Sequence, residues 1–415
     1  MDQLKKIFHN KTLKQTGILF FSTIFLMFIS LTTNFYITKY IDKKAFGDYS
    51  FIINLFTFLQ IIFNFGFFYV IGRLVALTND EIEMRNLYGI GIIIGFALSV
   101  ILSLTFFLFL KINCFYSLNN QIKQYILLCL PFSWIFIFIN YNEQVLQGSN
   151  KVTLLAFSRL APKLIFLFFI LYLHYVVRNS TETIYILLFY FFSYIISTVF
   201  IFYILKPSFL FKIDSFLKVF SFTKEFGFNI YLGSILAVGA SSLSGVLIGY
   251  FGKDNSDVGV FNLAQQFSIP ISIIPNILAT VFFKKFVTDS KLDRNLLLII
   301  YMISFITLVI IFIISKPLVM FFYGDKFFDS ILILRLLSIS AVFYGISDFY
   351  TKFLLSKGRG KEIRNSSFIV GIVLFISNLI FIYYYSALGA AIASIIAGFV
   401  YFIVIVYFFN KELNK

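Results

Sequence analysis

The chain has 415 residues, of which 60% are hydrophobic and only 13% are charged, and its formal net charge is +15. Soluble domains carry about 25% charged residues, so this composition excludes an ordinary soluble protein. The cations lie in short segments between apolar runs instead of on one polar face, which excludes a nucleic-acid-binding protein. We therefore expect an integral membrane protein without a nucleic-acid partner.

Apolar runs separated by charged or Asn- and Gly-rich breaks predict twelve transmembrane helices, since one crossing needs about 20 mainly apolar residues. The predicted spans are residues 13–38, 49–74, 86–110, 122–146, 152–176, 183–205, 226–251, 258–283, 295–315, 328–354, 365–385 and 387–409. The longest polar break, 206–225, is predicted to be a cytoplasmic linker. It would separate an N-terminal six-helix lobe, residues 1–205, from a C-terminal six-helix lobe, residues 226–415.

The loop cations predict the orientation of the chain, because Lys and Arg are enriched in cytoplasmic loops. With the N-terminus inside, 24 of the 34 Lys and Arg residues fall on the cytoplasmic side and nine on the opposite side. Both termini are therefore predicted to be cytoplasmic.

The two halves of the sequence resemble each other at three places. Residues 14–17 match 224–227 at a shift of 210, residues 45–49 match 257–261 at a shift of 212, and residues 146–151 match 356–361 at a shift of 210. Six predicted helices separate equivalent points, so the halves would be parallel repeats. Parallel repeats occur in transporters whose two halves rock around a central site.

Five short motifs are distributed along the whole chain. They are Phe46-Gly47-Asp48-Tyr49-Ser50, Phe65-Gly66, Leu146-Gln147-Gly148-x-x-Lys151, Phe321-Phe322-Tyr323-Gly324-Asp325-Lys326-Phe327 and Leu388-Gly389-Ala390-Ala391-Ile392-Ala393. Together they resemble the Wzx-type polysaccharide flippases of the multidrug/oligosaccharidyl-lipid/polysaccharide exporter superfamily. The resemblance implies an all-α membrane fold of two six-helix lobes in a V, as in MATE transporters.

The same resemblance implies a function in the bacterial inner membrane. Such proteins move undecaprenyl-diphosphate-linked oligosaccharides, the repeat units of O-antigen (the glycan of lipopolysaccharide) or of capsule, to the periplasmic leaflet. Alternating access would suffice, without covalent chemistry. By analogy with the family, a polysaccharide polymerase and a chain-length regulator are expected partners beside the lipid-linked substrate and membrane lipid.

Ionisable residues within spans indicate where a diphosphate could be bound, because such residues usually face a bundle interior or an aqueous cavity. Arg159 and Lys163 lie four residues apart on one helical face. At the shift of 210 they correspond to Ile369 and Val373, so the second half lacks them. We predict that both contact the diphosphate; the alternative is that both extend to the nearby headgroups.

Further polar residues within spans complete the predicted site. Arg73 and Arg335, with Asn34 and Gln60, are candidates for the substrate path, although Arg73 could reach the headgroups and the amides could bond neighbouring helices. Asp348 and Glu143 are candidates for coupling to H⁺ or Na⁺. For Asp348 the alternative is an ion pair with Lys352, four residues along the helix.

Neither a catalytic centre nor a cofactor is predicted. The Lys357–Lys361 turn lacks the spacing and the Ser or Thr of a phosphate-binding P-loop. The two histidines are isolated, and neither a metal site nor a nucleophile–base pair is indicated. A transporter is thus favoured over an enzyme. Two alternatives stay open: a cation-coupled multidrug exporter of the same fold, and a membrane polysaccharide polymerase, which would carry a larger extracytoplasmic loop.

Overall fold

A computed structural model describes residues 11–112, 119–177, 182–209, 213–235, 239–252, 254–288 and 292–413, and this part of the chain is helical without any strand. The helices up to the middle of the chain are α1 Lys11–Tyr40, α2 Lys43–Ile62, α3 Phe67–Leu77, α4 Glu81–Lys111, α5 Asn120–Cys129, α6 Trp134–Gly148, α7 Val152–Tyr172, α8 Thr183–Leu205 and α9 Ile213–Phe222. The remaining helices are α10 Phe228–Ser234, α11 Ala240–Phe251, α12 Ser256–Thr288, α13 Arg294–Tyr323, α14 Ser330–Ser356 and α15 Gly360–Leu413.

The chain is a multi-pass membrane protein. Within the described ranges, nine helices are long and apolar enough to cross a membrane, and the pair α5 and α6, bent by 48°, gives a tenth candidate. The longest helix, α15, is interrupted at Ser386, whose φ of 49° and ψ of −126° are not helical. This break lies between the last two predicted spans. The predicted all-α membrane fold is confirmed.

Two predicted spans are divided within the described residues: 49–74, and 122–146, whose parts α5 and α6 are bent by 48°. Span 49–74 is broken between α2 and α3, where Phe65 and Gly66 have positive φ of 47° and 83°. A Cβ on Gly66 would also meet the backbone of Gly227, so both the conformation and the space favour glycine there. Span 226–251 contains α10 and α11, and residues 236–238 between them lie outside the described residues.

The helices form two compact units with boundaries that differ from those of the predicted lobes. One unit contains residues up to 41 and 59–232, and the other contains residues 42–58 and 233–415. The first part of α2 therefore packs with the second unit, where a Cβ on Gly47 would collide with the backbone of Asn255. The prediction places residues 42–58 in the N-terminal lobe, 1–205, because it rests on sequence order alone.

In its described residues, 206–209 and 213–225, the predicted linker is also structured. It contains α9, which packs on the first unit: the Phe220 ring lies 5.1 Å from that of Phe67, and the Lys218 ammonium lies 3.7 Å from Glu83. The amide of Ser208 donates to the carbonyl of Arg85 at 2.9 Å. The helix α9 is amphipathic, so it has an apolar side that packing can cover. In the sequence, the charged residues of this segment obscured that apolar side.

One of the three predicted matches of the internal repeat, 146–151 with 356–361, corresponds to a turn that occurs in both units. After α6 the amide of Lys151 donates to Leu146 O at 3.0 Å, and after α14 the amide of Arg359 donates to Leu354 O at 3.0 Å. In each case the preceding residue has a positive φ, 53° and 72° respectively. These bonds are typical of the Schellman motif that ends helices. Equivalent residues here are 208 apart, so the predicted shift of 210 is two residues too large.

Close backbone contact joins α3 and α6 within the first unit. A Cβ on Gly72, in the middle of α3, would lie 2.6 Å from the Gln144 carbonyl oxygen. A Cβ on Gly148 would in turn collide with the backbone of Gly72. Small residues allow such approaches between membrane helices, where van der Waals contact replaces the hydrophobic effect as the source of packing energy.

We predict that Gly72→Ala destabilises the protein by about 1–3 kcal/mol, because the new methyl group overpacks the α3–α6 contact. The matched control is Gly17→Ala in α1, where a Cβ would find no atom within 4 Å. This control should leave stability unchanged or raise it slightly, since Ala favours a helix over Gly. The measurement is thermal unfolding of the purified protein in detergent. Equal melting temperatures for the two variants would contradict the tight contact.

Candidate functional site

The structure pairs two residues for which the sequence predicted separate roles. Arg159 Nε donates to Glu143 Oε2 at 3.0 Å, and Arg159 Nη2 donates to Glu143 Oε1. The Gln147 side-chain amide donates to the same Oε1 at 2.7 Å. The pair joins α7 to α6 across one helix–helix contact, and both side chains remain partly accessible. Arg159 therefore meets a protein carboxylate, which neutralises much of the charge predicted to meet a diphosphate.

Lys163 lies one helical turn after Arg159 and has no carboxylate within 4.0 Å in the described part of the chain. Its Nζ lies 5.5 Å from the centre of the Tyr190 ring on α8. A cation over an aromatic face is stabilised by about 0.5–2 kcal/mol but keeps its full charge. Of the two predicted diphosphate contacts, Lys163 is thus the one that still carries an uncompensated charge.

The equivalent positions of the second unit lack cations in the corrected register as well. At the shift of 208, Arg159 corresponds to Ser367 and Lys163 to Gly371. The predicted asymmetry between the halves therefore does not depend on the choice between 208 and 210.

Three other candidates of the first unit lie on different helices. Arg73, on α3, is exposed, and Asn34, on α1, is half-buried with its carbonyl accepting from Thr38 Oγ1 at 3.0 Å. Gln60, near the end of α2, is half-buried, and its Oε1 atom is buried without a hydrogen-bond partner among the residues described. A buried amide oxygen without a donor costs free energy, so an additional donor would stabilise the Gln60 side chain.

The loop before α7 carries another cation. Burial lowers the pKa of Lys151, while Glu81 acts in the opposite direction. The Lys151 Nζ also lies 5.7 Å from the centre of the Tyr88 ring. Lys151 thus packs against α4 and stabilises the turn between α6 and α7. This agrees with its place in the repeated motif.

In the second unit, Asp348 is held by side chains from two neighbouring helices. Tyr401 on α15 donates to Asp348 Oδ1 at 3.3 Å, and the Asn276 amide on α12 donates to Oδ2 at 3.4 Å. No ion pair closer than 4.0 Å joins Asp348 to Lys352 in the described residues, so the predicted alternative is not the contact observed. The carboxyl group thus lies where three helices meet.

Arg335 is the other candidate of this unit, and it lies on the same helix as Asp348. Thirteen residues separate them along α14, which corresponds to about 20 Å along the helix axis. Arg335 lines a cavity of about 480 Å³, and its guanidinium bonds Ser315 on α13. The two residues therefore belong to different sites.

A second, smaller cavity of about 160 Å³ in this unit is rich in hydroxyl groups that the sequence analysis did not single out as a set. Its polar lining is Ser244, Gln265, Ser268, Ser272, Ser340, Tyr344 and Ser394. Asn378 donates to Ser244 Oγ at 2.9 Å beside it. Serines spaced along α12 and α14 are the sequence feature that could have indicated this cavity. Only packing shows that they converge.

We predict that Arg159 and Glu143 stabilise each other by about 1 kcal/mol, the upper end of the range for partly exposed ion pairs. Arg159→Gln and Glu143→Gln should each lower the melting temperature, and the double variant should recover part of the loss. The matched control is the pair Arg85 and Glu81, whose groups lie 3.6 Å apart and are more exposed. Its coupling should be smaller, and equal coupling for both pairs would contradict a special role for the α6–α7 pair.

Comparison with known proteins identifies the family and the fold. The family described as "Polysaccharide biosynthesis protein" matches residues 12–283, about two thirds of the chain. No curated protein sequence matches the chain.

Among solved structures, the lipid II flippase MurJ in an inward closed conformation has a TM-score of 0.76 at 15% identity, covering 95% of this chain and 89% of that one. An inward-facing multidrug resistance MATE family transporter has a TM-score of 0.71 at 15% identity and covers 94% of each chain. A eukaryotic MATE transporter has a TM-score of 0.58 at 13% identity, covering 97% of this chain and 98% of its own. At such identities the similarity shows the fold alone. The chain belongs to the polysaccharide biosynthesis protein family and has the fold of MurJ and the MATE transporters.

Proposed function

We propose that the chain is a flippase, and not an enzyme, that moves an undecaprenyl-diphosphate-linked oligosaccharide across the bacterial inner membrane by alternating access. The observation that carries the proposal is membership in a polysaccharide biosynthesis family on a fold that a lipid II flippase shares. The oligosaccharide would be the repeat unit of O-antigen or capsule. Both termini would be cytoplasmic, as the distribution of loop cations predicts.

The diphosphate requires a cation on its path, because the bilayer core solvates neither of its charges. We assign this role to Lys163, whose ammonium is tied to an aromatic ring and not to a carboxylate. Arg159 positions α7 against α6 through Glu143 and thereby holds Lys163 in place. Arg73, Asn34 and Gln60 would contribute polar groups along the same path, with Gln60 accepting a hydrogen bond from a sugar hydroxyl.

Asp348 is the proposed site of coupling to H⁺ or Na⁺. A carboxyl group held by a tyrosine hydroxyl and an amide, with no cation within 4.0 Å among the described residues, can exchange its counterion or proton as conditions change. The same arrangement supports the second candidate, a cation-coupled multidrug exporter, which also agrees with the MATE-like fold. Glu143, which the sequence also suggested for coupling, has an arginine partner and is less suited to this role.

The partners proposed for the flippase are the lipid-linked substrate and, by analogy with the family, a polysaccharide polymerase and a chain-length regulator. These proteins would act on the unit after it reaches the periplasmic leaflet.

Complementation of a deletion strain tests the function. Wild-type protein should restore surface polysaccharide, whereas Lys163→Gln should reduce it at least about tenfold and leave lipid-linked units in the cytoplasmic leaflet, because one charge-assisted phosphate contact is lost. The control is Lys111→Gln, which removes an exposed cation at the end of α4 in the same unit. Each variant is compared at equal membrane abundance.

The possible outcomes test the assigned role of Lys163 and the flippase proposal independently. Full rescue by Lys163→Gln would refute the assigned path and leave the flippase proposal standing. Unchanged polysaccharide in the deletion strain itself would refute the flippase proposal and favour the multidrug exporter.

We predict that Asp348→Asn uncouples transport from the ion gradient. In proteoliposomes the wild type should flip substrate faster when a H⁺ or Na⁺ gradient is imposed. The variant should show the same rate with and without the gradient, because its neutral amide takes up no proton near neutral pH and has no negative charge to attract Na⁺. The control is Asp325→Asn, an exposed carboxylate outside the helix bundle. A variant that still responds to both gradients would exclude Asp348 as the coupling site.

A further inference from the structure

A polar cavity in the second unit lies at the end where α12 and α14 begin and α13 ends. It has a volume of about 480 Å³, and its charged lining is Asp257, Lys316, Asp329 and Arg335. Lys316 is seven residues before the end of α13, and Arg335 is five residues after the start of α14. At 1.5 Å per residue, both cations lie about 7–11 Å inside the helix ends. This is the depth at which phosphate headgroups meet acyl chains.

The Arg335 guanidinium is fixed in place but only partly satisfied. Its Nε donates to Oγ of the buried Ser315 at 2.9 Å, and Nη2 donates to the Phe312 carbonyl at 3.4 Å. A guanidinium has five N–H groups, so three have no protein acceptor in the part of the chain that is described. No carboxylate lies within 4.0 Å of Arg335 in that part. The side chain is thus a rigid, open set of donors for an anion.

The other charges leave the cavity positive. Lys316 is exposed and forms no ion pair with any described residue. Asp329 is matched by Lys43, with 2.5 Å between Nζ and Oδ2. Two unmatched cations, Lys316 and Arg335, therefore face one remaining carboxylate, Asp257. Cations at this depth are stabilised by an anion, so a ligand with one net negative charge would balance the site.

The rest of the lining suits a lipid better than a free ion. Phe328 and Leu332 line the cavity and are each 53% exposed, which places apolar surface beside the cations. Tyr385, also in the lining, is exposed at the break in α15, where aromatic residues commonly meet headgroups.

We propose that this cavity binds the phosphate of a membrane lipid, with Arg335 and Lys316 contacting the phosphate oxygens and the apolar rim contacting the first carbons of the chains. A monoanionic phospholipid such as phosphatidylglycerol has the required charge. A polyprenyl diphosphate offers the same phosphate chemistry. The cavity is built by residues of the second unit, whereas Lys163 belongs to the first, and the proposal does not depend on the proposed transport function.

Native mass spectrometry of the full chain in detergent tests the proposal by titrating three lipids: phosphatidylglycerol, undecaprenyl diphosphate and diacylglycerol, which has no phosphate. Arg335→Gln and Lys316→Gln should each weaken binding of phosphatidylglycerol at least about tenfold, the loss of one charge-assisted hydrogen bond. Lys326→Gln is the matched control, because it removes an exposed cation from the same helix end outside the cavity lining. Diacylglycerol binding should be equal in all variants.

Each outcome supports or overturns the proposal. If only undecaprenyl diphosphate binding falls, the lipid phosphate site stands and its occupant is the isoprenoid lipid. If Arg335→Gln fails to fold, Lys316→Gln still provides the test, since Lys316 is exposed and makes no ion pair with the described residues. Affinities for both phosphate lipids that match those of Lys326→Gln would overturn the site, as would an equal loss of diacylglycerol binding.

Discussion

A charged side chain at the centre of a membrane-spanning helix costs about 2.5–3.5 kcal/mol on insertion scales, so each one in this protein requires a partner, a hydrated surface or a ligand. Arg159 meets Glu143, and Lys43 meets Asp329. Lys163 instead lies near the Tyr190 ring, and Arg335 lies near the Phe312 ring and donates to a hydroxyl and a carbonyl group. These neutral groups leave both positive charges uncompensated. The distribution of partners therefore separates cations that hold the fold from cations available to a ligand.

The same constraint connects packing to the proposed mechanism. Close contacts at glycines, such as Gly72 against α6, fix helices at short distance and leave little freedom for the side chains between them. The α6–α7 pair of Glu143 and Arg159 then sets the position of the helix that carries Lys163. In the other unit, Asp348 is shared by α12, α14 and α15. A change in its protonation or bound cation would act on all three helices together.

The two phosphate-binding proposals concern different charges and different units. Lys163 would meet the diphosphate of a substrate in transit, whereas Arg335 and Lys316 would hold a lipid phosphate at one helix end. Both follow from cations without a carboxylate partner in the described residues, and contacts with neutral groups hold Lys163 and Arg335 in place. A flippase for lipid-linked glycans needs the diphosphate contact from Lys163. The lipid phosphate held by Arg335 and Lys316 would anchor the second unit at the headgroup layer.

Composition and apolar runs by themselves determined that the chain is an all-α membrane protein, because a bilayer admits only segments whose backbone is internally hydrogen-bonded. Short motifs indicated the fold, and the repeated turn at Lys151 and Arg359 was visible within two residues of its register. Only the tertiary structure decided that residues 42–58 pack with the second unit, that Arg159 meets Glu143, and that Lys316 joins Arg335. These depend on which helices become neighbours, and hydropathy carries no information about partners because it places a helix in the membrane without specifying which helix packs beside it.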